Sequence, residues 1–184
     1  MIPGENEIVQ VIRSYHDSFS SKVYGDENDD YDVLMEVFGL HPAVKRENRQ
    51  YWGRELGMCW QRIVTALFLA TVKSYKHGYR EGHDELCDLM VGRDAIDTKY
   101  RIGSGDSGTL KKFKQYGRRL KELKFRPVLL ILRNDNLPAA IAACNEGAWT
   151  VLSGAASFRY IEAKTSVDFA DWLRSLGEQF HISR

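Results

Sequence analysis

Three side chains in Glu85–Gly108 (ELCDLMVGRDAIDTKYRIGSGDSG) could act together on a phosphate: Asp88, Asp97 and Lys99. Successive strand residues alternate between faces, so Asp97 and Lys99 project from one side if this stretch is extended. Asp88 lies nine residues before Asp97, and a hairpin turning at Gly92-Arg93 would bring the two acids side by side. A magnesium ion takes oxygen ligands in near-octahedral geometry and keeps several waters, so one or two carboxylates plus a substrate phosphate can hold it. Such an ion polarises a phosphoryl oxygen and acidifies a water, while Lys99 would hold the nucleophile or offset developing charge. The chemistry this predicts is phosphodiester hydrolysis. D-x-K is a short pattern, however, and an Asp and a Lys on an edge strand also occur as plain surface residues. Asp84 and Asp94 are alternatives to Asp88 as the first acid, although Asp94 falls within the turn, three residues from Asp97.

The strand runs into Gly103-Ser104-Gly105-Asp106-Ser107-Gly108, which has the G-x-G-x-x-G spacing of a dinucleotide loop. The preceding DTKYRI is too polar for the buried first strand of such a unit, and Glu122, where the ribose acid would stand, lies inside a basic helix. No nucleotide cofactor is expected. The loop reads instead as backbone N–H donors at a helix N-terminus, placed to take a DNA phosphate, with Arg101, Ser104, Asp106 and Ser107 around it. The helix that follows, TLKKFKQYGRRLKEL (109–123), carries Lys111, Lys112, Lys114, Arg118, Arg119 and Lys121, with Gln115 near its middle and able to reach a phosphate at the site. Residues 97–126 hold ten Lys or Arg against three acids, although the whole chain has a net charge of only +1. A segment of that kind either is a solvated helix face or binds a phosphate-rich partner, with affinity that carries no sequence information. Base reading then falls to the loops 134–136 and 153–159, where Asn134, Asn136, Ser157 and Arg159 have groups suited to base edges. His16, His41, His77, His83 and His181 show no metal-ligand spacing, and no serine stands in a G-x-S-x-G context.

These residues need a scaffold, and the apolar periodicity supplies one. Residues 5–24 read as an amphipathic helix, 25–32 (GDENDDYD) as an acidic loop and 31–40 as a short helix ended by Gly39 and Pro42. The longest helical pattern runs from about Glu47 to Tyr75 and carries Glu55, with Gly53 and Gly57 on one face where another backbone could approach closely. A polar loop is expected over 76–84, then the two strands of the hairpin. FRPVLLILR (125–133) is a nearly unbroken apolar run, the pattern of a central strand covered on both faces. A helix over 137–146 with Pro138 near its start, short strands at TVLSG and SFRYI, and a last helix over 166–180 capped by Ser166 complete the chain. The expected fold is α/β, a central mixed sheet flanked by helices in a single domain of 184 residues.

Composition narrows the class further. Hydrophobic content of 43% and charged content of 28% suit a soluble globular domain. Cys59, Cys87 and Cys144 are odd in number, widely spaced and set among apolar neighbours, as expected of buried reduced thiols in a cytoplasmic protein. The N-terminus lacks the pattern of a signal peptide, and the longest apolar run, Ile63–Val72, is too short to span a bilayer.

D(x)n(D/E)xK on a strand hairpin, preceded by a helix bearing an acid and followed by a helix and an apolar strand, resembles the PD-(D/E)XK nuclease superfamily. Within it the compact chain is similar to type II restriction endonucleases, and YWGRELGMCWQ and AIDTKYRIGSGDSGTLKKFKQYG are similar to the ApaLI-like subgroup. The resemblance covers residues 50–133. It implies a restriction-endonuclease-like core over 47–184 behind a helical extension, 1–46. It also implies magnesium as cofactor, Asp88, Asp97, Thr98 and Glu55 as the metal-holding set, Lys99 as catalytic lysine, and double-stranded DNA as substrate of a homodimer. A Holliday-junction resolvase, a repair nuclease with the same core, or a non-catalytic basic DNA-binding module are the alternatives. Cys87 precedes the first acid where the nominal motif has proline, and Asp97 stands in the Asp/Glu position; neither departure removes a needed oxygen. Glu162-Ala163-Lys164 is a rival E-x-K, but only about twenty residues follow it, too few for the helix and strand that the superfamily core puts next.

Overall fold

The computed structural model describes residues 2–21, 49–103 and 105–176. The expected acidic loop, the short helix at 31–40 and the end of the last helix lie outside them. Helix α1 spans Glu5–Ser21 and α2 spans Arg49–Thr71. Along α2, Trp60, Ile63, Val64, Leu67 and Phe68 are buried, a spacing that makes one stripe of a 3.6-residue helix. That stripe lies on a five-stranded mixed sheet formed by β1 (Tyr75–His77), β4 (Leu89–Val91), β5 (Asp94–Lys99), β6 (Arg126–Ile131) and β7 (Thr150–Ser153), in that spatial order.

The first three strands of the sheet pair antiparallel and the last three pair parallel. Parallel neighbours require a crossover. Helix α3 (Ser107–Glu122) makes it between β5 and β6, and α4 (Pro138–Glu146) between β6 and β7. Two cores result. Val128 and Leu130 of β6 enter one with α1, α2 and Ile161 of α5 (Ala155–Thr165); Leu129 and Ile131 enter the other with Phe113 and Leu120 of α3 and Cys144 of α4. The α/β class and the central, doubly covered strand are therefore as the sequence implies.

Four local expectations change. Helix α2 stops at Thr71, because Tyr75 is taken up as the first residue of β1 against Val91. The stretch 76–84 is not a loop: beyond β1 it contains β2 (Arg80–Glu81), which pairs with β3 (Asp84–Glu85) in a small hairpin. SFRYI is helical, not a strand, and lies within α5; Phe158 packs edge-on to Trp60 with ring centroids 5.6 Å apart, and Ile161 is fully buried. Tertiary burial on one side of a helix has overridden the β-propensity of Phe, Tyr and Ile. Ser166 closes α5 in a left-handed conformation instead of opening the next helix; α6 (Phe169–Ser175) is capped by Asp168, whose carboxylate accepts the Asp171 N–H at 3.0 Å. Gly92 takes the hairpin turn between β4 and β5 with φ of 58°, and Gly57 meets nothing closer than Tyr100, 3.8 Å from where a Cβ would sit.

Helix α3 and the end of α4 pack closely. A Cβ on Gly117 would stand 2.1 Å from the Gly147 carbonyl oxygen and 2.5 Å from Trp149 Nε1, which itself donates to the Phe113 carbonyl. Neither backbone can yield easily. Gly117→Ala should destabilise the protein by about 1–3 kcal/mol through overpacking, read as a lower urea midpoint with an unchanged m-value; an unchanged midpoint would mean that the two helices are not held this closely.

Candidate active site

The hairpin brings Asp88, Asp97 and Lys99 to one end of the sheet. Asp97 and Lys99 share a face of β5, as alternation requires, and Lys99 Nζ lies 2.6 Å from Asp97 Oδ2. The same ammonium donates to the Thr98 carbonyl at 3.1 Å. Asp88 stands one residue before β4, where its N–H still donates to the Ile96 carbonyl. Its carboxylate faces the other way, towards α2. Oδ2 accepts from the Thr98 N–H at 2.7 Å and from Thr98 Oγ1 at 2.6 Å, and Oδ1 accepts from Gln61 Nε2 at 2.6 Å.

Burial pushes the Asp88 carboxyl up to about 6, and repulsion from Asp97 adds to it, against the pull of Lys99 and the Thr98 bonds. At Lys99 burial disfavours the ammonium, but Asp97 and Asp88 outweigh it and hold its pKa above the usual lysine value. Lys99 is therefore a cation at neutral pH. It can offset developing negative charge or orient a water through its N–H groups, but it has no lone pair with which to take a proton.

The alternatives for the first acid have other work. Asp94, at the opposite end of β5, is buried and accepts from the Tyr160 hydroxyl at 2.8 Å while pairing with Arg126 at 2.6 Å and Lys164 at 2.8 Å. That also disposes of the rival E-x-K: Lys164 braces Asp94, and Glu162 is exposed on α5. Asp84 is exposed on β3 and accepts from the Tyr116 hydroxyl at 2.6 Å. Glu55 does not join the cluster. It pairs with its neighbour Arg54 at 3.0 Å, and its charge is felt at Tyr15 of α1, whereas the charges acting on Asp88 are those of Asp97 and Lys99.

The α2 residue that does reach the site is Gln61, which the sequence reading missed. Its signal was a long polar side chain directly after the buried Trp60 and two before the buried Ile63, inside a largely apolar stretch of helix.

Much of the expected phosphate surface is already engaged. At the start of α3, Asp106 Oδ1 accepts the Thr109 N–H at 2.9 Å, so the helix N-terminus has its own carboxylate where a phosphate was expected. Ser107 is exposed in the first turn; Ser104 lies outside the described residues. Arg101 donates to the Asp135 carbonyl at 2.8 Å and pairs with the Asp135 carboxylate, Lys114 pairs with Glu146 at 2.7 Å, and Arg118 donates to the Glu146 carbonyl. Arg119 is held by Glu81 of β2 and by Glu122. Lys111, Lys112, Gln115 and Lys121 are exposed, with Lys112 over the Tyr116 ring.

The expected base-reading groups divide in the same way. Asn136 is structural, accepting the Ile102 N–H and donating to the Arg133 carbonyl. Ser157 is fully buried and donates to the Ile131 and Leu152 carbonyls. Asn134 is exposed beside Gly154, and Arg159 lines a separate cavity of about 320 Å³ between α5 and α6. Cys87 and Cys144 are buried as expected, whereas Cys59 is half-buried; all three are unbridged, and burial raises each thiol.

Among the described residues, no group of three or more His, Cys, Asp or Glu side chains comes together around a metal position, and no helix is long and apolar enough to cross a membrane. Asp88, Asp97 and Thr98 bring two carboxylates and a carbonyl to this end of β5, with Asp88 turned towards Gln61 and Asp97 towards Lys99. They are hard oxygen donors of the kind magnesium takes, and the repulsion between the two acids is what a divalent cation relieves. Comparison with family models, with curated proteins and with solved structures finds no match to this chain.

The two ends of β5 call for different tests, and Asp94 gives the one that separates scaffold from site. Burial raises its pKa, but bonds from Lys164 and Tyr160 and the charge of Arg126 outweigh that and bring it below the ordinary value. A depressed carboxyl contributes stability that is present above its unfolded pKa and lost as pH falls through its folded one. Asp94→Asn should therefore cost on the order of 2 kcal/mol at neutral pH, a cost that shrinks as pH falls below about 4. Urea titrations of both proteins at several pH values check this; a penalty independent of pH would refute the charge pairing.

Proposed function

We propose that the chain is a magnesium-dependent deoxyribonuclease of the PD-(D/E)XK kind, with Asp88, Asp97 and Lys99 as its reacting centre. The observation that carries the reading is the Asp97–Lys99 pair at the end of the strand hairpin, next to Thr98, whose N–H and hydroxyl hold the Asp88 carboxylate. The order of elements supports it: helix α2, the hairpin, helix α3 and the apolar strand β6 follow in the sequence that the resemblance implies. In its sharpest form the proposal is a type II restriction endonuclease acting on double-stranded DNA as a homodimer, whose two-fold axis would match a palindromic site and give each strand one centre.

Asp88, Asp97 and the Thr98 carbonyl would hold the ion, which when bound supplies Lewis-acid polarisation of the phosphate and a more acidic water. The chain's own groups do the rest. Thr98 and Gln61 fix the Asp88 carboxylate in one orientation through three hydrogen bonds. Lys99, held between Asp97 and the Thr98 carbonyl, places positive charge where the phosphorane develops its negative charge and can donate to the attacking water. Its charge also offsets part of the repulsion between the acids.

A second reading is favoured by one feature. Both Asp88 oxygens are already hydrogen-bonded within the chain and Asp97 already has Lys99, as in a DNA-binding module whose acids only brace the fold. Supercoiled plasmid separates the two. Nicking or linearisation with magnesium and not with EDTA is expected, reduced at least about a hundredfold by Lys99→Ala or Asp97→Ala. Magnesium should also raise the melting temperature of the wild type but not of the Asp88→Asn, Asp97→Asn double variant. Plasmid left intact by purified protein, with no magnesium-dependent shift, would favour the bracing role.

A further inference from the structure

A cleft of about 770 Å³ opens between α2 and the β2–β3 hairpin, and Asp88 and Gln61 form part of its lining. Beside Thr65, Tyr75 and Glu85, its lining carries groups of two further kinds. Arg62 and Arg80 bring positive groups, Arg62 lying over the Tyr15 ring and Arg80 pairing with Glu85. Met58 and Leu69 bring apolar ones, and among the described residues they are the large hydrophobic side chains left exposed, at 39% and 59%. Both lie in this cleft. Exposed apolar surface gathered in a concave site beside cations suits an amphipathic ligand with a flat apolar part and an anionic part.

A nucleotide is such a ligand: its base has an apolar face that packs on side chains, and its phosphate pairs with arginine. An intact duplex keeps its bases stacked inside and offers phosphates alone, so it would use the arginines and leave Met58 and Leu69 wet. We infer that the cleft binds one or two unpaired nucleotides of the strand whose phosphate is presented at Asp88, so that a double-stranded substrate is opened at that point. The inference rests on the reading of Asp88 as part of the reacting centre. Arg62 and Arg80 hold the flanking phosphates, the bases lie on Met58 and Leu69, and Asp88 marks the end at which the scissile bond arrives.

Binding of a short fluorescein-labelled oligothymidylate, followed by anisotropy in EDTA so that nothing is cut, tests this on the full chain. The single strand should bind at least as tightly as a blunt duplex of matched length. Met58→Glu with Leu69→Glu should weaken it about tenfold or more, and Arg62→Ala severalfold. Arg174→Ala, on the exposed face of α6, should leave binding unchanged. Met58 and Leu69 face solvent, so the double variant should fold; if its unfolding midpoint falls, Leu69→Ser serves in its place and should still weaken binding. Equal binding by wild type and cleft variants, or tight binding of the duplex with none of the single strand, would overturn the inference. Cleft-dependent binding without magnesium-dependent cleavage would uphold the cleft and count against the nuclease reading alone.

Discussion

Strand β5 pairs antiparallel with β4 and parallel with β6, and the rest of the structure follows from that divided pairing. A two-residue turn satisfies the first edge, whereas the second needs the whole of α3 as crossover. Alternate residues of β5 consequently enter different cores, Ile96 beneath α2 and Ala95 beneath α3 and α4. Beyond β4 the antiparallel partner runs out while β6 continues alongside as far as Ile131. Asp97, Thr98 and Lys99 stand at that step, and their polar groups turn to Asp88 and to one another.

The two ends of this strand solve one electrostatic problem in opposite ways. At Asp94 a buried carboxylate meets a tyrosine hydroxyl and two cations, and its charge is compensated. At Asp88 and Asp97 two carboxylates share one lysine, and burial and repulsion together raise the first of them to about 6. Compensation of the first sort stabilises a fold. Under-compensation of the second sort costs stability and is characteristic of sites that wait for a ligand of opposite charge.

Periodicity made a good deal of this legible. The stripe on α2, the hairpin turn at Gly92-Arg93 and the unbroken apolar run of β6 are local patterns, and each specifies its element without reference to the remainder of the chain. SFRYI was misread because Phe158 and Ile161 are set by what packs on them, Trp60 and the first core, which no window of five residues contains. At the site, the spacing of Asp97 and Lys99 sufficed to place them on one face. Gln61 did not announce itself, since a glutamine in an apolar helix acquires its meaning from Asp88, twenty-seven positions away. Glu55, which the resemblance implies, lies on the same helix, but position on the helix, not charge, decides which residue meets the hairpin.

The basic helix shows the same limit on a larger scale. Counting Lys and Arg along α3 suggests a surface for DNA phosphates, yet Lys114, Arg118 and Arg119 are engaged by Glu146, its carbonyl and Glu81. Two contacts from α3 go to the small hairpin: Arg119 to Glu81 on β2 and Tyr116 to Asp84 on β3. That hairpin contributes Arg80 to the cleft beside Asp88. Helix α3 thus connects strand to strand on one side of the sheet and, through its polar face, fixes a wall of the cavity on the other. Part of its charge goes to holding the hairpin in place, while Lys111, Lys112 and Lys121 stay exposed on its outer face.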